Sequence, residues 1–175
     1  VLHCGAHHGE EKDLYNELSI NNVIWIEANP DDSNICYNNV KQYKNNIVYN
    51  VAILDVDNEE LEFNITNNGE SSSLLKLKQH KIYYPNINVI KKIKVTTKRL
   101  DTLIKEKNIN IDNYNFLNLD IQGVELKAIK GMGIFLQNID YIYTEVNKDE
   151  LYENCDKIDE MDAYLKFNGF TRVET

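Results

Sequence analysis

Val1-Leu2-His3-Cys4-Gly5-Ala6-His7-His8-Gly9-Glu10, followed by the apolar run Val23-Ile24-Trp25-Ile26-Glu27, is the part of the chain that decides the fold. Gly5 and Gly9 come just after a short apolar stretch, where a strand hands over to a helix. Glu27 ends the next strand-like run, about twenty residues downstream. A glycine turn after one strand and an acid after the next is how a doubly wound α/β domain holds a nucleoside. Glycine lets a ligand approach the backbone, and the carboxylate accepts hydrogen bonds from ribose hydroxyls. A dinucleotide site calls for a third glycine, and here the bulkier His7-His8 pair stands in the turn. The chain has only two arginines, Arg99 and Arg172, for bidentate phosphate clamps. The ligand that fits is a nucleoside without pyrophosphate, and S-adenosylmethionine is such a ligand.

Outward from this stretch, strand and helix alternate. Val1–His3 reads as a strand and Glu10–Leu18 as a helix with Leu14 and Leu18 on its apolar face. Val23–Glu27 is a strand, Pro30-Asp31-Asp32-Ser33 caps a helix reaching about Tyr43, and Ile47–Ala52 is a third strand. The middle differs. Leu61–Ile65 and Ile93–Thr97 alternate with period two, as half-exposed strands do, around an Asn67–Ser73 loop. Lys76–Lys92 shows no period and reads as a mobile lid. The alternation then resumes: a helix from Asp101 to Lys107, a strand Phe116–Asp120, a helix Val124–Lys130 and a strand Tyr141–Glu145. A helix Ile158–Phe167 and a C-terminal strand from Phe170 follow. This order implies an α/β fold with a mostly parallel central sheet and helices on both faces.

In such sheets the ligand sits at the carboxyl ends of the strands. Four strands deliver candidates there: Gly5–Gly9, Glu27, Asp120 and Glu145. Asp120 either caps the next helix or takes a proton from an acceptor hydroxyl. Glu125 favours the start of its own helix. Glu145, at the end of an apolar strand, is expected to be partly buried with a raised pKa that suits a base. His3, Cys4, His7 and His8 lack the spacing of a zinc site and have no second cysteine pair, so no metal is expected among them. A version with Asp120 and Glu145 holding Mg²⁺ stays open.

Composition bounds the rest. At 175 residues the chain is read as one domain with a sizeable core, an excerpt of a longer polypeptide that supplies other domains. A net charge of −9 argues against nonspecific nucleic-acid binding. No apolar run is long enough to span a membrane, so no membrane partner is expected. Three scattered cysteines, Cys4, Cys36 and Cys155, point to a reducing, cytoplasmic setting.

The residues also match a family in order along nearly the whole chain. Gly5-Ala6-His7-His8-Gly9-Glu10, Ile26-Glu27-Ala28-Asn29-Pro30, Asn50-Val51-Ala52 and Ser71-Ser72-Ser73-Leu74 come first. Arg99-Leu100-Asp101, Leu119-Asp120-Ile121-Gln122-Gly123-Val124-Glu125, Lys130-Gly131 and Thr144-Glu145-Val146-Asn147 follow, with Tyr164-Leu165 and Gly169-Phe170. The chain resembles the FkbM family of S-adenosylmethionine-dependent methyltransferases. The resemblance implies a Rossmann-like class I methyltransferase fold and O-methylation of a small molecule or glycan, most often a sugar. It implies cofactor contacts from Gly5, Ala6, His7, Gly9, Glu10, Glu27, Ala28, Val51, Ala52, Ser72 and Ser73, with Asp120 and Glu145 catalytic. His3 stands where the family usually has an Asp. The rival reading is a non-catalytic module of a larger glycan-modifying protein.

Overall fold

The computed structural model describes residues 1–175. In chain order, β1 (Leu2–Cys4), α1 (Lys12–Glu17), β2 (Val23–Glu27), α2 (Pro30–Val40) and β3 (Asn46–Asn50) begin an α/β alternation. It is interrupted by β4 (Ala52–Ile53), β5 (Glu60–Thr66), the one-turn α3 (His80–Tyr83) and β6 (Val89–Lys98). It is completed by α4 (Leu100–Glu106), β7 (Phe116–Leu119), α5 (Glu125–Lys130), β8 (Tyr141–Thr144) and α6 (Ile158–Phe167).

The alternating parts form a five-stranded, all-parallel sheet in the order β3-β2-β1-β7-β8. β2 explains why. Its side chains alternate between two buried faces, so a strand covered on both sides reads as one apolar run. Ile24 and Ile26 join Leu2, Cys4, Leu117 and Leu119 beneath Leu103 of α4, Ile129 of α5 and Met161 of α6. Val23 and Trp25 face the other way, against Tyr15 of α1 and Cys36 and Val40 of α2. Helices therefore cover both faces, as the α/β, Rossmann-like reading requires. Strand order reverses between β1 and β7, and a crevice opens at their carboxyl ends.

The central insertion folds back on itself. β5 pairs antiparallel with β6, whose end pairs parallel with β4. This small second sheet packs Phe63, Ile65 and Val95 over Ala28 and Leu74. The run expected as one strand from Ile47 to Ala52 is thus divided. The Asn50 amide donates to the carbonyls of Glu27 and Ala28, which ends β3, and Ala52 crosses to pair with Thr97.

Three further differences have local causes. Leu14 and Leu18 are 53% and 62% exposed, and Tyr15 is the residue α1 buries. A six-residue helix turns one side chain fully inward, and here that is a tyrosine whose hydroxyl meets His3 and Asn118. The cap of α2 is Asn29, which accepts from the Asp31 N–H, with Pro30 as first helical residue. The C-terminal run from Phe170 is not a strand. The Phe170 N–H donates to the Leu165 carbonyl, which keeps the chain against the end of α6 and away from any ladder. No helix is long and apolar enough to cross a membrane.

Candidate active site

The carboxyl ends of β1, β2, β7 and β8 open into one cleft of about 540 Å³, a volume suited to a nucleoside-sized ligand with room beside it. Of the residues expected to bind cofactor, Gly5, His7, Glu10, Glu27, Ala28, Val51, Ala52 and Ser72 line it, as do Asp120 and Glu145. Ala6, Gly9 and Ser73 do not line it. Ala6 is 1% exposed, packed among Tyr15 and Trp25.

The two glycines serve packing first. Gly5 has φ +84, and a Cβ there would lie 1.7 Å from the Asp120 carbonyl oxygen. The glycine is what allows the ends of β1 and β7 to touch. Gly9, at φ +74, presses against Val40 and Cys36 of α2, where a Cβ would meet Val40 at 3.0 Å. The turn between them is tied to β2. The Glu27 carboxylate accepts from the N–H of His7 and of Asn29, each at 2.8 Å. Burial raises the Glu27 pKa, and the two N–H donors oppose the rise. Each carboxylate oxygen keeps acceptor capacity beyond its one backbone bond.

His3 belongs to the core. It stacks on Trp25 with ring centroids 5.0 Å apart, lies 3.2 Å from the Tyr15 hydroxyl, and is pushed down to about 4 by burial, so it is neutral. The acids beside the glycine turn in the cleft are Glu10 and Glu11. His7, His8 and Asp32 bring one ligand-type atom each within 4.8 Å of one another. His8 Nε2 and Asp32 already share a hydrogen bond of 3.0 Å, and His7 Nδ1 and Glu10 one of 2.8 Å.

The other end of the cleft is built around Gln122. This residue sits at φ +58 in the turn between β7 and α5. Its Nε2 donates to Asp120 and, at 2.9 Å, to Glu145. Its carbonyl accepts from the Tyr152 hydroxyl, which leaves the NH₂ pointing at the acids. The turn is held from below by Glu125, which is 1% exposed and accepts from the N–H groups of Ile121 and Gly123. Burial pushes Glu125 up to about 7. Glu145 is also pushed up to about 7, first by desolvation and then by the charge of Asp120, and Asp120 is raised as well. Desolvation on the cleft floor is the first cause for both, and a neighbouring acid adds to it: Asp120 beside Glu145, and Glu70 beside Asp120. The two carboxyls sit on the one Gln122 amide and act on each other's proton, so they titrate as a pair. A cation bound between them would first have to displace the Gln122 amide.

Ser72 accepts from the Thr66 N–H at 3.1 Å. The Ser73 hydroxyl donates to the Gln122 carbonyl at 2.7 Å and so braces the same turn. The segment expected as a lid is pinned: the N–H groups of Lys78 and His80 donate to the Leu151 carbonyl. It forms a wall of the cleft through His80, Tyr84 and Ile87. Sequence reading gave no role to Tyr152, His80 or Phe63. Only the position of Gln122 between Asp120 and Gly123 hinted at the clamp. Seven carboxylates line the cleft, and no lysine or arginine does.

A family model described as the methyltransferase FkbM domain matches residues 3–171. This chain belongs to the FkbM methyltransferase family. A relative from Sinorhizobium fredii (strain NBRC 101917 / NGR234), the 2-O-methyltransferase NoeI, is 27% identical over 87% of this chain and 65% of its own length. The FkbM chain thus spans slightly less than two thirds of that relative. No solved structure matches it.

Proposed function

We propose that this FkbM domain is an S-adenosylmethionine-dependent O-methyltransferase acting on a sugar hydroxyl. The observation that carries the reading is the charge of the cleft: seven carboxylates and no lysine or arginine in its lining. Dinucleotides and nucleoside triphosphates bring several negative charges and would be repelled there. S-adenosylmethionine brings a sulfonium and an ammonium against one carboxylate, so its net positive charge is drawn in. Glu27 would accept from the ribose hydroxyls. Ala28, Val51 and Ala52, with Ile26 and Phe63, would flank the adenine, and Glu10, Glu11 and Asp120 would surround the ammonium. When bound, the cofactor supplies a methyl group on a sulfonium that is already reactive, so much of the catalysis can come from alignment.

The remaining task is to take the acceptor's proton. The Asp120–Glu145 pair suits it, because a carboxyl titrating near neutrality is poised to act as a base at working pH. Gln122 holds both acids in one orientation. That NoeI is named a 2-O-methyltransferase supports oxygen as the acceptor atom. Isothermal titration with S-adenosylmethionine tests the scheme. Binding by the wild type, weakened at least about tenfold in Glu27→Ala, is expected. No binding by the wild type, or full binding by the variant, would sink it.

A further inference from the structure

His80 is the one cleft-lining side chain with a buried ring nitrogen left without a partner. It is 5% exposed, its Nδ1 has no hydrogen-bond partner, and no side-chain hydrogen bond to it is formed anywhere in the protein. Its ring lies between Tyr84, at 4.9 Å, and Tyr152, at 5.4 Å. Tyr152 is the residue whose hydroxyl holds Gln122, so His80 stands one tyrosine away from the acid clamp. Burial lowers its pKa and keeps the ring neutral. A neutral imidazole can donate from one nitrogen and accept at the other. A buried polar group without a partner is costly, and a ligand hydroxyl that reaches the ring would relieve that cost. Around it the charge is of one sign. Of the lysines on the segment beside it, Lys78 is paired with Glu150 at 2.5 Å, and Lys76 and Lys81 do not line the cleft.

We propose that the acceptor is an uncharged polyol, gripped by one hydroxyl at Asp120 and Glu145 and by a second at His80. It is therefore a sugar unit already free of nucleotide diphosphate. The inference rests on the methyltransferase reading above. An acceptor with a phosphate or carboxylate near the reacting hydroxyl would meet the acidic floor with no cation to pair it. A purely apolar acceptor would cover His80 and leave its Nδ1 without a partner.

Wild-type protein with labelled S-adenosylmethionine is offered methyl glycosides of neutral hexoses, their monodeoxy analogues, the matching nucleotide diphosphate hexoses, and catechol as a non-sugar hydroxyl. Neutral glycosides should be preferred over nucleotide sugars by about tenfold or more in kcat/KM. His80→Phe should raise the acceptor KM about tenfold with cofactor affinity unchanged by calorimetry, and His80→Gln should recover part of the loss. One deoxy analogue should lose a similar factor with the wild type and little with His80→Phe. Preference for nucleotide sugars, transfer to catechol alone, or cofactor binding with no glycoside methylated overturns the proposal, as does an unchanged acceptor KM in His80→Phe. A wild type that binds no cofactor overturns the methyltransferase reading instead.

Discussion

Gln122 places two carboxylates on one amide and has its own carbonyl held by a tyrosine. It does so from a left-handed backbone position that non-glycine residues occupy at a cost of about 1 kcal/mol. The Ser73 and Glu125 contacts hold that turn in place. If Glu145 is the working base, it acts deprotonated. Activity should then rise with pH through about 7 and level off above it. In Gln122→Leu the acids lose their common donor and repel more strongly. The midpoint of kcat against pH should move upward, and the plateau should fall by about tenfold. Tyr152→Phe should shift the profile the same way, by less, because the amide remains but is free to rotate. An unmoved midpoint in both variants would remove Gln122 from any part in proton transfer.

Among the elements, the six-residue α1 makes the sharpest contrast. On α1, Leu14 faces water and Tyr15 is buried, so Leu14→Lys should leave the urea midpoint nearly unchanged. Tyr15→Phe removes the hydroxyl shared by His3 and Asn118 and should cost about 1–2 kcal/mol. The β1–α1 turn makes the same point for backbone. Gly5→Ala forces a Cβ against the Asp120 carbonyl at 1.7 Å and into a left-handed φ. It should destabilise by more than about 3 kcal/mol, or abolish soluble expression, because that neighbour is backbone and cannot rotate away. Equal urea midpoints for Leu14→Lys and Tyr15→Phe would contradict the burial assigned to α1.

For the molecule as a whole, the acids dominate. Glu27, Glu125 and Glu145 all have pKa values raised above the ordinary carboxylate range by burial or crowding, the latter two to about 7. A carboxyl whose folded pKa is raised holds its proton longer folded than unfolded. Between the unfolded value near 4.5 and the folded value near 7, the native state therefore binds more protons, and stability falls as pH rises. The urea midpoint without cofactor should be higher at pH 5.5 than at pH 8. Glu125→Gln should flatten that slope, since the uncharged amide keeps an acceptor for the Ile121 and Gly123 N–H groups. A midpoint that rises toward pH 8 would contradict the burial of these acids.

Much of the frame was legible in the chain. The uninterrupted apolar run of β2 announced a strand buried on both faces. Glu27, Asp120 and Glu145 declared themselves as acids ending such runs. These features follow from side-chain periodicity and local backbone chemistry, which act over a few residues and are written in order. What tertiary structure decided depends on which segments meet. It chose Tyr15 over Leu14 for the core, because the neighbours of α1 are set by sheet order. It assigned Gly5 to the contact of β1 with β7, two strands more than a hundred residues apart in the chain. It joined Gln122 to Tyr152 across a separation of 30 residues. It left His80 in the cleft wall, where desolvation and the absence of a partner give it chemistry that no local sequence pattern encodes.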